Sequence, residues 1–336
     1  PWKVIDMQSV VVTGVGGYIA KHVAAGLLAS GYSVVGTVRS LKRADEIRST
    51  IGLKSDTSQL TFAEVDLLTE AGWSEVMDGA DYVMHIASPL TRNEPRDENE
   101  LIAPAVEGTQ RVLRAADAAG VKRVVVTSSV VTLFMGRGSG RYGPESWSDV
   151  SAKIGSYPKS KTLAEQAAWR LAEDMSTEVV TVLPGYVIGP AIGGRPEGAS
   201  AETISDMING KLPRIPDLQI PMVDVRDVSS LHVAAMEAPG AAGHRLIGSQ
   251  EQPTAMRSLA KTLKEAGYSK VPDRKLPTPL VKVLGAFSKD ARSMVPYIGF
   301  QASVDAKLAQ DVCNWSAGAI EPGLIEMSHQ IAQPPG

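Results

Sequence analysis

Ser9-Val10-Val11-Val12-Thr13-Gly14-Val15-Gly16-Gly17-Tyr18-Ile19-Ala20 is the stretch whose reading decides the fold. The β-branched run Val10 to Thr13 is too short for a helix and reads as a buried strand. Gly14-x-x-Gly17-x-x-Ala20 follows at once. Small residues there let the backbone approach a pyrophosphate, and a helix starting near Tyr18 offers open N–H groups and the positive end of its dipole. Strand, turn and helix in that order give a lone glycine motif its weight. Tyr18 and Ile19, in the first turn, fall beside such a ligand. The helix is predicted to run to Ser30, with Gly31 closing it. A phosphate loop of the Walker type is a near miss: Lys21 is present, but Val15, Ala20 and His22 stand where Gly, Gly and Ser or Thr are needed.

Outward from this turn, short apolar runs alternate with helical stretches. Ser33–Val38, Leu60–Val65, Tyr82–Ile86, Arg123–Thr127 and Thr177–Leu183 read as further strands, with a helix from about Lys159 to Asp174. The alternation predicts an α/β fold, a doubly wound parallel sheet of the Rossmann kind. Beyond Pro184 the texture changes. Residues 190–199 and 211–221 are rich in Gly and Pro and read as loops. Val223–Val233 and Arg245–Gly248 read as a return to the main sheet, and amphipathic helices dominate from Ser258. The expected organisation is a dinucleotide-binding domain of residues 1–185 plus 222–250, and a smaller substrate-binding domain of 186–221 plus 251–336.

Composition limits the function classes. The 336 residues are 43% hydrophobic and 21% charged with net charge −3, so neither nucleic acid nor a membrane surface is an expected partner. One cysteine, Cys313, allows no intramolecular disulfide and suits a reducing compartment. The five histidines never fall at ligand spacing, so no metal site is expected and each reads as a surface or packing residue. No run is long and apolar enough to span a bilayer, and residues 1–6 lack a signal-peptide core. The cytoplasm is the expected location.

The end of the second strand chooses the cofactor. An NAD enzyme places Asp or Glu there for the ribose hydroxyls. Here Gly36-Thr37-Val38-Arg39-Ser40-Leu41-Lys42-Arg43 carries no acid and three cations. Arginine grips a phosphate through a planar fork of donors, so Arg39 first and Arg43 second are assigned to the 2′-phosphate of NADPH.

Tyr157-Pro158-Lys159-Ser160-Lys161 holds a Tyr and a Lys four apart, on one face of a helix. Carbonyl reduction needs a proton at oxygen while hydride reaches carbon. A phenol with a pKa near 10 is a weak donor or base at neutral pH, and a neighbouring ammonium is expected to lower that value. Val124-Val125-Val126-Thr127-Ser128-Ser129 brings hydroxyls to the carboxyl end of an adjacent strand, where doubly wound sheets bind ligands.

With these residues the chain resembles the extended short-chain dehydrogenases, in particular the branch of dihydroflavonol reductases, cinnamoyl-CoA reductases and microbial carbonyl reductases. Further marks are Asp66-Leu67, His85-Ile86-Ala87-Ser88-Pro89, Glu145-Ser146-Trp147-Ser148-Asp149, Pro184-x-x-Val187-x-Gly189-Pro190 and Val223-Asp224-Val225-Arg226-Asp227. The resemblance implies that Ser129 hydrogen-bonds the substrate carbonyl, that Tyr157 donates the proton, and that Lys161 holds the nicotinamide ribose and tunes Tyr157. It also implies that Asp66 and Leu67 flank the adenine, that Ile86, Ala87, Ser88 and Thr127 line the ribose and phosphate side, and that Pro184, Gly185 and Val187 meet the nicotinamide amide. Which of Ser128 and Ser129 points inward stays open. Two departures stand out. Pro104-Ala105 replaces the asparagine that many members carry before strand five. Ile154-Gly155-Ser156 replaces the Asn-Trp-Tyr-Cys stretch of cinnamoyl-CoA reductases, which disfavours a CoA thioester.

A nucleotide-sugar epimerase would be expected to carry an acid near position 39, and a redox sensor has no need of a proton donor. Residues 133–142, Thr91 to Pro95, Tyr186 and Met207 are expected to close the pocket. Phe134, Met135, Tyr142, Trp147 and Met207 suggest an apolar or aromatic carbonyl substrate. Monomer and homodimer both fit the sequence.

Overall fold

A computed structural model describes residues 7–89, 95–277, 279, 295 and 298–333. Its centre is a sheet of seven strands: β1 (Ser9–Val12), β2 (Ser33–Val38), β3 (Leu60–Glu64), β4 (Tyr82–His85), β5 (Arg123–Thr127), β7 (Glu178–Pro184) and β12 (Arg245–Gly248). Between them in sequence lies a short strand β6 (Gly140–Tyr142), and β8 (Tyr186–Ile188), β9 (Ile215–Pro216), β10 (Gln219–Ile220) and β11 (Met222–Asp224) precede β12. The central order is β12-β7-β5-β4-β1-β2-β3, with every neighbouring pair parallel. Val10, Val11, Val12, Val124 and Val125 are all 0% exposed, which requires cover on both faces.

The pleat sends alternate residues to opposite layers. Val10, Val12 and Val125 pack with α1 (Tyr18–Ala29) and with Val228, Leu231 and Ala235 of α8 (Val225–Glu237). Val11, Val83 and Val124 pack with Val112 and Ala116 of α4 (Asn99–Ala118) and Ala168 of α6 (Ser156–Ala172). The Rossmann arrangement read from the sequence is the one observed. Its strand order reverses between β1 and β4, so the ligand crevice opens at the carboxyl ends of those two strands.

Two expectations are revised. The helix α6 begins at Ser156, not near Lys159, because Pro158 sits in the first turn, where a missing N–H costs no helical bond. Tyr157 is therefore on the helix with Lys161. The stretch 223–233 does not rejoin the central sheet: among the described residues β11 pairs with β8 alone, and the chain then turns into α8. Asp224 forces that turn, its carboxylate accepting from the Arg226 N–H at 2.8 Å as an N-cap.

A second core gathers Ile188, residues of α7 (Ala199–Ile208) and α9 (Met256–Glu265), and Leu324, Met327 and Ile331 of the last helix, Glu321–Ala332. The C-terminal segment does not pack as one body. Ala309 and Trp315 join the first core, while Ala302 and Val304 pack with Leu133 and Phe134. No helix among the described residues is long and apolar enough to cross a membrane.

Candidate active site

The glycine turn is shaped for a close backbone approach. Gly14 has φ +63°, and a Cβ there would lie 2.9 Å from the Ala87 Cβ across the crevice. Gly36 is as constrained: its Cβ would stand 2.5 Å from Val15. The Gly14 N–H donates to the Thr37 hydroxyl at 3.0 Å, and the Thr13 hydroxyl accepts from the Ile86 and Ala87 N–H groups at 3.0 and 2.9 Å. These bonds fix β1, β2 and the Ile86–Ser88 segment into one rim. Gly17 gives α1 no side-chain cap, so the first N–H groups, at Tyr18 and Ile19, stay open to an anion.

Tyr18 does something the sequence did not suggest. Its hydroxyl donates to the Gly189 carbonyl at 2.6 Å, and His22 bonds the Pro190 carbonyl at 2.9 Å. The side chain thus ties the helix to the segment leading into the second core, and Ile19 packs on the first core. Of the two assigned arginines, Arg43 forms a fork with Glu46 at 3.1 and 3.2 Å. That pairing holds its guanidinium above the ordinary range. Exposed Arg39 makes no hydrogen bond or ion pair among the described residues. Asp66 folds its carboxylate onto the Leu68 N–H at 3.0 Å, and Leu67 packs over Gly108. Pro184 accepts from the Val130 N–H at 3.0 Å, Gly185 donates to Gly248 at 3.1 Å, and Val187 packs on the first core. Glycine at 185 is required, since a Cβ would sit 2.6 Å from the Pro221 carbonyl oxygen.

At the end of β5 the structure separates the two serines. The Ser128 hydroxyl donates to buried Glu165 at 2.5 Å. The Ser129 hydroxyl accepts from the Val131 N–H at 3.3 Å and lies beside the Tyr157 phenol. Burial raises the Tyr157 pKa, and the neighbouring Ser129 hydroxyl acts the other way. The expected lowering by Lys161 is not what sets this value. Lys161 instead donates to the Thr127 carbonyl at 3.3 Å, and burial pushes its ammonium down to about 8 against the pull of Glu165. The Thr127 hydroxyl pairs with His232 at 2.7 Å on the far side. A cavity of about 10 Å³, room for one water, lies among His85, Thr109, Thr127, Lys161 and Glu165.

Glu165 and Arg245 were missed by sequence reasoning. They form a buried pair at 2.7 Å directly behind Ser128 and Lys161. The signal was there: Glu165 is four residues after Lys161, on the same helical face.

The expected pocket aromatics are engaged in packing. Met207 is 0% exposed within the second core. Trp147 lies under the Arg245 guanidinium at 3.6 Å. The Tyr186 hydroxyl contacts Thr203 at 2.9 Å, and Phe134 packs its ring between Tyr142 and Phe300. Met135 is buried in the same cluster. Residues 91–94 lie outside the described residues.

The geometry fits a dinucleotide, and the comparisons agree with it. A family model described as the NAD dependent epimerase/dehydratase family matches residues 10–248. Cinnamoyl-CoA reductase 1 of Arabidopsis thaliana is 36% identical over 249 residues, 71% of this chain and 70% of that protein. Dihydroflavonol 4-reductase of Zea mays is 32% identical over 269 residues, 77% of this chain and 74% of its own. Among solved structures, yeast methylglyoxal/isovaleraldehyde reductase Gre2, complexed with NADPH, superposes with a TM-score of 0.81 at 25% identity, covering 96% of this chain and 98% of its own. With a family model covering both the glycine turn and the Tyr157–Lys161 helix, this chain belongs to the NAD dependent epimerase/dehydratase family.

Proposed function

We propose that this chain reduces an aldehyde or ketone to the alcohol, with Ser129, Tyr157 and Lys161 as its catalytic residues. It is an NADP-dependent oxidoreductase acting on carbonyl groups, in line with the NADPH-bound reductase that shares its fold and the carbonyl reductases among its relatives. The observation that carries the catalytic assignment is the placing of the Ser129 hydroxyl beside the Tyr157 phenol at the carboxyl end of β5, with Lys161 one helical turn on.

The residues fit the dinucleotide by their shape. Gly14 and Gly17 admit the pyrophosphate, the open start of α1 neutralises it, and Arg39, with no hydrogen bond or ion pair among the described residues, is the guanidinium for the 2′-phosphate. When bound, the nicotinamide supplies hydride to the carbonyl carbon. Ser129 and Tyr157 both aim hydroxyls at the place where negative charge grows on the carbonyl oxygen. A phenol whose pKa is raised stays protonated at neutral pH, so Tyr157 holds the proton until that oxygen becomes basic enough to take it. Lys161, charged below about pH 8, keeps the Tyr157 end of the site positive.

Residues 1–185 plus 222–250 are read as the cofactor half and 186–221 plus 251–336 as the half that shapes the substrate. The separate core built from α7, α9 and the last helix supports that division. The substrate is read as apolar or aromatic from the residue types at Phe134, Met135, Tyr142 and Trp147, although Phe134 packs its own ring against Tyr142 and Phe300. The test is initial-rate reduction of aliphatic aldehydes, aryl ketones, ketoesters and cinnamoyl-CoA, run with NADPH and NADH in parallel. Turnover of an aryl carbonyl at least about tenfold faster with NADPH is expected, the preference Arg39 would supply through a charge-assisted phosphate contact. Binding of NADPH without turnover of any carbonyl would overturn the reading.

A further inference from the structure

A buried ion pair is a poor way to stabilise a fold, because desolvating two charges offsets most of their attraction. Glu165 and Arg245 are 1% and 8% exposed at their side chains, so the pair calls for a reason beyond stability. Its surroundings are fully organised. Glu165 accepts from Arg245, from the Ser128 hydroxyl at 2.5 Å, from the Thr181 hydroxyl at 3.0 Å and from the Trp169 indole at 3.3 Å. Arg245 uses all five of its N–H groups. Two bonds go to Glu165, two to the Pro144 and Ser146 carbonyls at 2.7 and 2.6 Å, and one to the Thr132 hydroxyl at 2.9 Å. Thr132 in turn donates to the Ser129 carbonyl at 2.8 Å. The residue before Ser129 is thus bound to Glu165, and the Ser129 carbonyl is bound through Thr132 to Arg245.

We propose that Glu165 is a positioning residue: paired with Arg245, it fixes the Ser128–Ser129 turn and holds a negative charge beside Lys161. The inference rests on the reading of Tyr157 and Lys161 as the proton-donating pair. Lys161 and Glu165 stand one turn apart on α6 and line the same small cavity. The other titratable groups facing this cluster are Tyr157 on α6, His85 from β4 and, behind Thr127, His232 from α8; Arg245 adds a permanent charge from β12. Both histidines are held neutral by burial, so Glu165 carries the negative charge that opposes desolvation of the Lys161 ammonium.

Lys161 acts while protonated, so reduction is sustained below its pKa and lost as pH rises through about 8. Removing the Glu165 charge lowers that pKa, and the loss then sets in at lower pH. The experiment compares the unaltered chain with Glu165→Gln and with the charge-balanced double variant Glu165→Gln/Arg245→Met. Thermal melting and NADPH fluorescence titration establish folding and cofactor affinity. The log kcat profile with the best carbonyl substrate is then recorded from pH 6 to 10. The expected result is an alkaline limb displaced downward by roughly one pH unit in Glu165→Gln and by less in the double variant, where loss of the Arg245 charge offsets part of the change, with NADPH affinity within about twofold. An unmoved limb in folded Glu165→Gln overturns the proposal, even if melting is lowered, because a merely structural pair would do only that. Lys161→Met is run alongside: if it keeps turnover, the assigned proton-donating pair is itself wrong, an outcome the Glu165 variants cannot mimic.

Discussion

Ser128 and Ser129 are adjacent and chemically identical, yet the chain leaving β5 puts them to different uses. One donates into a buried carboxylate, and the other meets the Tyr157 phenol. That division, which spacing left open, is read from the partners on either side of the strand end. It leads to a prediction for Tyr157→Phe. The ring and its packing persist and only the proton is lost. Turnover should fall by about 10²- to 10⁴-fold, the worth of a positioned general acid, while NADPH still binds. Stopped-flow or steady-state rates beside a fluorescence titration check both halves. Near-normal turnover would remove Tyr157 from its assigned role.

At the scale of elements, what the sequence displayed was whatever local pattern dictates. The Gly14–Ala20 turn, the β-branched strands and the Tyr157–Lys161 spacing are all short-range, and all appear where expected. The misreadings have long-range or capping causes. Residues 223–233 look like a strand because Val223, Val225 and Val228 are β-branched, but Asp224 caps a helix whose buried face recurs at 225, 228, 231, 232 and 235. Arg43, assigned second to the phosphate, also forks with Glu46 one turn on, an exposed pairing that leaves its assignment a proposal. The Glu165–Arg245 pair, 80 residues apart, is only half visible locally: Glu165 shares a helical face with Lys161, but nothing near it in sequence points to Arg245. Arg123 is another such case. It opens β5, but its guanidinium reaches the carbonyls of Ala235, Met236 and Ala238 at 3.1, 2.8 and 2.7 Å, closing the C-terminus of α8. Arg123→Met should strip those carbonyls of a charged donor while keeping an apolar stem. A loss of about 3 kcal/mol is expected from hydrogen bonds to a charged group, read as a lower urea midpoint with turnover at 25 °C nearly unchanged. An unchanged midpoint would mean that α8 ends without help from β5.

For the whole molecule, the central sheet is held in part by two buried histidines that bridge its layers. His85 stands between the Thr13 and Thr109 hydroxyls at 3.1 and 3.3 Å, joining β1 and β4 to α4. His232 joins α8 to β5 through the Thr127 hydroxyl. Burial pushes their pKa values down to about 3 and about 4. Such a group is neutral in the folded chain but takes up a proton when unfolded below about pH 6.5, so the unfolded state binds more protons as pH falls. The stability they contribute is therefore complete above about pH 6.5 and is lost as pH falls toward 4, before most carboxylates titrate. Two protons give a slope of about 2.7 kcal/mol per pH unit in that window. Urea unfolding from pH 8 to pH 4.5 should show a plateau above pH 7 and then at least this fall, His22 adding in the same direction, and His232→Gln should remove about 1.4 kcal/mol per pH unit of it. A flat profile down to pH 4.5 would mean that one or both imidazoles reach solvent, and that the layers around β1, β4 and β5 open more readily than their packing implies.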